Sequence, residues 1–329
     1  MHGSEGGERN LPYPYQPKVG SHIAAGYDHF MFKKGEPMKF GFLIDRNTIK
    51  CSHFKVAPLP EFDDVLEWFY QIVPVSNGWF YGPEEELKKS SMESKKFKSS
   101  GPINYSSFFR ISPTHQITSN NYSDDHLRFL ILGYGFLQGL HLTPEGNSYL
   151  GRTAYIQGEL NGLYLHGDDY INGMEAINKF YTSQHSKERD QMFSCIHWYL
   201  IGQGYHFDWD RFYAQYKVLD GLYTLSGLKI KTHTNRPIEL AKKYNLKLPS
   251  WAKLDPISNK SKLSIQRNEL VHEAKYDGHP IGYSYPNENY SLEFTSFNTK
   301  LIAATLGINT PYLEAEPSDR RFWGWDIKT

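Results

Sequence analysis

The stretch Gln266–Pro280, "QRNELVHEAKYDGHP", places Arg267, Asn268 and His272 close together in sequence. On an α-helix each residue turns by about 100°. Asn268 and His272, four apart, then share a face, while Arg267 and His272, five apart, diverge by about 140°. Leu270 and Val271 can pack inward, with Arg267 and Glu269 in water. Spacing alone fits a plain helix as well as a site.

Upstream lies "KERDQMFSCIHWYLIGQGYHFDWDRFYAQYKVLDGLYTLSG", a long helical stretch with a break expected near Gly202–Gly204. Phe212, Tyr216, Leu219 and Tyr223 recur on one face, and Gly227 marks its stop. The motif itself is expected on a helix from Lys262 to Ala274. Downstream, the turn-rich "KYDGHPIGYSYPNENY" precedes a last helix, "SLEFTSFNTKLIAATLG". Its apolar face is Phe294, Phe297, Leu301 and Ala304.

The first part of the chain reads differently. From Gly26 to Arg110, "MKFGFLID", "TIKCSHFKVA" and "GWFYG" are short aromatic or β-branched segments bounded by Gly, Pro or Asn, as strands are. One helix is expected at "EFDDVLEWFYQIV", where Val65, Leu66, Phe69 and Ile72 recur at helical spacing. Another is expected from Asp124 to Leu140, with Ser123 as N-cap. The opening residues and the Ser/Lys-rich segment between Pro83 and Pro102 read as irregular. The fold class is α+β: a β-rich N-terminal domain over 1–120 (1–22 irregular), a helical connecting region over 121–185, and a helical domain with a C-terminal tail over 186–329.

At roughly 100–200 residues per domain, 329 residues allow two or three domains. With 39% hydrophobic and 22% charged residues, the composition is that of a soluble globular protein. Lys plus Arg and Asp plus Glu both number 36, so any nucleic-acid role rests on a local patch. Such a patch exists from Leu228 to Ser264, where nine Lys or Arg stand against Glu239 and Asp255. A solvated loop and an RNA-backbone surface both fit it; Lys242, Lys243, Lys260 and Lys262 are the candidate RNA contacts. The two cysteines form no CxxC pair, which suits a reducing, cytoplasmic setting. No signal peptide and no membrane span are expected.

"LHGDDY" (Leu165–Tyr170) and "YHFDWD" (Tyr205–Asp210) offer metal-type donors without a recognised ligand spacing. No metal and no cofactor are expected, and no phosphate loop, dinucleotide fingerprint or nucleophile elbow is present. Cys195 and His197 read as packed helix residues.

"RNELVH", set between an aromatic-rich helical stretch and "FNTKLIAATLGI", resembles the Apea-like branch of the HEPN superfamily over roughly residues 186–312. HEPN domains are helical bundles whose signature is an Arg, four to six residues, then a His, often with a polar residue after the Arg. The resemblance implies a metal-independent endoribonuclease acting as a homodimer, of a prokaryotic toxin or anti-phage type. His272 would be general acid/base, since histidine titrates near neutrality. Arg267 would stabilise the charged transition state through its planar donor fork. Asn268 would support them, and Glu273 is a salt-bridge partner or an orienting group. A cleft shared by two chains would bring the diverging Arg267 and His272 together. The β-rich part would bind a regulatory protein or ligand. The alternative is a non-catalytic HEPN protein that dimerises or binds a partner.

Overall fold

The structure, a computed structural model, describes residues 36–72, 75–76, 79–81, 113–144, 152–154, 163, 165, 167–205, 207–282 and 290–316. The expectations for 1–22, for the segment between Pro83 and Pro102 and for the tail "RRFWGWDIKT" lie outside these residues, as do His166 and His206.

Eight short strands occur before residue 160: β1 (Met38–Gly41), β2 (Ile49–Lys50), β3 (Lys55–Pro58), β4 (Val75–Ser76), β5 (Trp79–Tyr81), β6 (His115–Thr118), β7 (Thr143–Pro144) and β8 (Arg152–Ala154). Five form an antiparallel sheet in the order β2-β3-β6-β1-β7, and β4-β5-β8 form another. Alternation along the strands selects the core face. Met38 pairs with Ile117 and Ile117 with Val56, and all three are buried. The segment "TIKCSHFKVA" is not one strand. It folds into a hairpin whose turn is closed by Cys51 N–H donating to the Phe54 carbonyl across 3.0 Å. The Glu175 carboxylate accepts from the backbone and hydroxyl of Ser52 and ties this turn to a helix.

Eight α-helices are described: α1 (Phe62–Ile72), α2 (Asp124–Gln138), α3 (Asp169–Ser183), α4 (Ser186–Gln203), α5 (Asp208–Leu225), α6 (Arg236–Lys243), α7 (Lys262–Asn268) and α8 (Ser291–Leu306). α2 starts where expected, with Ser123 Oγ accepting from His126 N–H. It ends at Gly139, whose φ of 71° is the left-handed conformation that glycine adopts freely. α2 touches β1 and β7 as well as α3 and α4, so it joins the sheet to the helices. β7 and β8 follow α2 in sequence, so the strands of this mixed α+β fold come from both sides of residue 120.

α4 and α5 are the expected broken stretch, folded back as an antiparallel pair. Their approach is set by small residues: Gly202 faces Ala214, and Gly221 faces Cys195. A Cβ on Gly221 would lie 2.4 Å from Cys195 Sγ. α8 packs against α5 and α4. Phe294, Phe297 and Leu301 are buried as expected, whereas Ala304 is half-buried. Burial runs unbroken from Phe294 to Ala303 and includes Asn298, Thr299 and Lys300. Most of their polar atoms are matched: Asn298 Nδ2 donates to Gln215 O and Oε1, Thr299 Oγ1 meets Tyr199 Oη, and Lys300 Nζ donates to the Ala315 and Glu316 carbonyls, while Asn298 Oδ1 is buried without a partner among the described residues. The buried apolar residues form one cluster reaching from Met38 to Tyr312. Among the described residues no helix is long and apolar enough to cross a membrane.

Candidate active site

α7 carries the Arg267 motif and is fixed at both ends. At its start Ser261 Oγ accepts from Ser264 N–H, and Ser264 Oγ accepts from Ser261 N–H, a reciprocal cap. Leu263 and Gln266 are buried beneath it. Arg267 is half-buried, while Asn268 and His272 are exposed.

The expected helix to Ala274 does not continue as α-helix. After Asn268 the backbone widens into a π-turn, Glu269–Glu273, closed by Ala274 N–H donating to the Glu269 carbonyl. Such insertions are rare in helices and often occur at functional positions. The turn leads into a hairpin of β9 (Lys275–Tyr276) and β10 (His279–Pro280). Asp277 and Gly278 connect these strands with φ of 52° and 76°, the two-residue turn that Asp-Gly favours. Tyr276 is buried with its ring 5.7 Å from that of Phe212. Glu269 Oε2 accepts from Gly278 N–H at 3.0 Å. The π-turn is therefore held between a capped helix and an anchored hairpin.

This geometry corrects the expected divergence. Hydrogen bonding from residue i to i+5 stacks groups five apart, which α geometry would separate. Arg267 Nη1 donates to His272 Nε2 at 2.9 Å and to Asn268 Oδ1 at 3.0 Å. All three sequence-selected residues meet within one chain. Arginine has no acceptor, so in this contact His272 Nε2 offers its lone pair. Both Nη1 hydrogens are used, and the Tyr216 hydroxyl adds a hydrogen bond to the same guanidinium. Glu273 instead receives Lys275 at 3.1 Å, the salt-bridge reading of that residue.

Behind the motif the guanidinium lies 5.9 Å from the Tyr216 ring centroid. Burial, then the Asp220 carboxylate, pushes the Tyr216 hydroxyl up to about 12, against the opposing charges of Arg267 and Arg236. Arg236 Nη1 holds Asp220 at 2.6 Å. Nearby His233 is held below the usual histidine range by its burial and then by Arg236. A groove of about 380 Å³ opens here, lined by Arg267 and Val271 and by Tyr213, Tyr216, Lys217 and Asp220 of α5.

The basic stretch is less available than its sequence suggests. Lys242 pairs with Glu239 at 2.6 Å, and Lys243 Nζ donates to the Ser226 carbonyl. Arg236 and Lys247 pair with Asp220 and Glu316. Lys260 and Lys262 are exposed on either side of the α7 cap. The cations that line the groove are instead Lys217 and Arg267. Lys217 was hidden in sequence because α5 was read by its apolar face. Its other face, Trp209, Tyr213, Lys217, Asp220 and Thr224, recurs at the same helical spacing and was the available signal.

The other candidates are described only in part, since His166 and His206 lie outside the described residues. Arg211 lies 3.7 Å from Asp208, and among the described residues no three His, Cys, Asp or Glu side chains could hold a metal together. Burial pushes the Cys195 thiol up to about 12, which keeps it protonated and inert. His197 Nδ1 meets His141 Nε2 at 3.1 Å. No protein family, no curated protein and no solved structure matches this chain.

Proposed function

We propose that the protein is a metal-independent endoribonuclease of the HEPN type, with Arg267, Asn268 and His272 as its active site. The observation that carries this reading is the convergence of an arginine, an asparagine and an exposed histidine at one π-turn. The RNA 2′-hydroxyl attacks its adjacent phosphorus, forming the 2′-O–P bond and breaking the P–O5′ bond. His272 Nε2 takes the 2′-hydroxyl proton, and the 5′-oxygen leaves as a hydroxyl after receiving a proton from solvent water, whose hydroxide takes the proton that His272 then releases. Arg267 turns its guanidinium hydrogens to the phosphate and stabilises the charge gathered in the transition state. As the phosphate draws the guanidinium, Nη1 releases the Nε2 lone pair for that proton. Asn268 keeps the guanidinium in place. The products are a 2′,3′-cyclic phosphate and a 5′-hydroxyl.

A homodimer of the helical region would set two such sites side by side, and a toxin or anti-phage role would follow from cutting cellular RNA. The dimer belongs to the family resemblance, because the three residues already meet in one chain. The test is purified protein on RNA beside His272→Ala and Arg267→Ala, with the new ends identified. Loss of cutting in both variants and cyclic-phosphate ends are expected. Equal cutting by all three proteins, or none by any, ends the assignment.

A further inference from the structure

We infer that the α5 face beside the motif is a subsite for single-stranded RNA, in which a nucleobase stacks on Tyr213 while Lys217 and Arg267 receive the phosphate that follows it. This rests on the nuclease reading and names the substrate form it takes.

The residues argue for a base and a phosphate together. Tyr213 and Lys217 are four apart on α5 and so neighbours on one face. Tyr213 is 43% exposed, a large planar surface left open to solvent beside the groove. The Lys217 ammonium sits 3.6 Å from the Trp198 ring and 4.4 Å from the Tyr213 ring. Among the described residues it makes no ion pair, so its charge is held on aromatic faces and is not neutralised by a carboxylate. The one carboxylate lining the groove, Asp220, is taken by Arg236. Lys217, Arg236 and Arg267 thus outweigh it, and the groove suits an anion.

Single strands are bound this way, by backbone cations interleaved with aromatic platforms. A duplex hides its base faces and cannot use Tyr213. The face continues toward the start of α5, where Phe207 is 55% exposed and stacked on Trp209 at 4.6 Å. At 1.5 Å rise per residue, Phe207 and Lys217 are about 15 Å apart along the axis, room for more than one nucleotide. The strand would run along α5 and deliver its scissile phosphate to Arg267 and His272.

The test uses the full chain and a short fluorescent 2′-O-methyl RNA of mixed sequence, which lacks the attacking hydroxyl. Tyr213→Ala is expected to weaken binding about tenfold or more, with Tyr213→Phe near wild type. Lys217→Met is expected to weaken binding and lower the salt slope by about 0.7, one backbone contact on a single strand. His272→Ala should fail to cut unmodified RNA. If wild type cuts RNA while Tyr213→Ala and Lys217→Met bind unchanged, the subsite is wrong and the nuclease stands. If wild type binds with these losses but never cuts, the nuclease reading falls and the strand site stands. Equal binding of duplex RNA overturns the subsite.

Discussion

Arg267 and His272 are five residues apart, yet Nη1 of one donates to Nε2 of the other across 2.9 Å. The contact exists because a π-turn, not an α-turn, joins them. It uses the fork of the guanidinium: Nη1 alone serves both Asn268 and His272, and the rest of the fork meets the phosphate in the proposed reaction. Lysine carries its charge on a single nitrogen and cannot divide its donors this way. Arg267→Lys is therefore expected to lose RNA cleavage by on the order of 100-fold, close to the loss in Arg267→Ala. Initial rates on a fluorogenic RNA measure it. A lysine variant that keeps most of the wild-type rate would show that charge alone suffices and that the fork geometry is idle.

The groove depends on how closely α4 and α5 approach. Gly221 lines it, and a Cβ there would meet Cys195 Sγ at 2.4 Å and Gln191 Nε2 at 2.9 Å. Both helices are packed on the core, so neither can retreat freely. Gly221→Ala is expected to lose about 1–3 kcal/mol through overpacking, although alanine is the better helix former. Chemical denaturation gives the sign. A stabilised Gly221→Ala would mean that the helix pair can move apart at no cost.

How much could be read from the sequence divides by physical scale. The breaks and caps were legible because they are local: Ser123 caps α2, the Gly202–Gly204 break separates α4 from α5, and Gly227 follows the end of α5 with φ 69°. The three motif residues were also legible. Their meeting was not, since nothing in "NELVHEA" announces a π-turn, and α geometry predicted the opposite. The turn depends on tertiary anchors, Tyr276 in the core and Glu269 on Gly278. α8 was misjudged for a related reason. Its Thr, Asn and Lys residues look like a solvent face until their partners on α4, α5 and the chain beyond α8 are known. The basic run was overvalued because a charge count does not record Glu239, Glu316 or the Ser226 carbonyl folding back onto it.

Asn298 shows what that buried polar belt contributes. It is fully buried, and Nδ2 donates to Gln215 O at 2.9 Å and Gln215 Oε1 at 2.8 Å. Removing it leaves two acceptors dry and opens a void between α5 and α8. Asn298→Ala is expected to lose about 2–4 kcal/mol, more than the same change at exposed Asn268. Paired denaturation curves for the two variants make the comparison. Equal losses would mean that the belt is no stronger than a surface contact.

His115 makes stability pH-dependent in a stated direction. The ring is fully buried, beside Phe40 and Phe62 at 5.8 and 5.5 Å, with Nδ1 3.0 Å from Thr114 Oγ1. Burial lowers its pKa from 6.5 to about 4, against an opposing backbone hydrogen bond at Asp45. Between those values the unfolded ring binds a proton that the folded ring refuses. The neutral ring's contribution is therefore whole above about pH 6.5 and is lost as pH falls toward 4. His126 and His141 are lowered in the same sense, so the parent curve is steep there. His115→Phe replaces the ring with one that cannot titrate. Its stability is expected to fall less steeply with acid, by about 1.4 kcal/mol per pH unit across the window. Urea midpoints across that range measure the slope. An unchanged slope would mean that His115 takes up its proton while the protein is still folded.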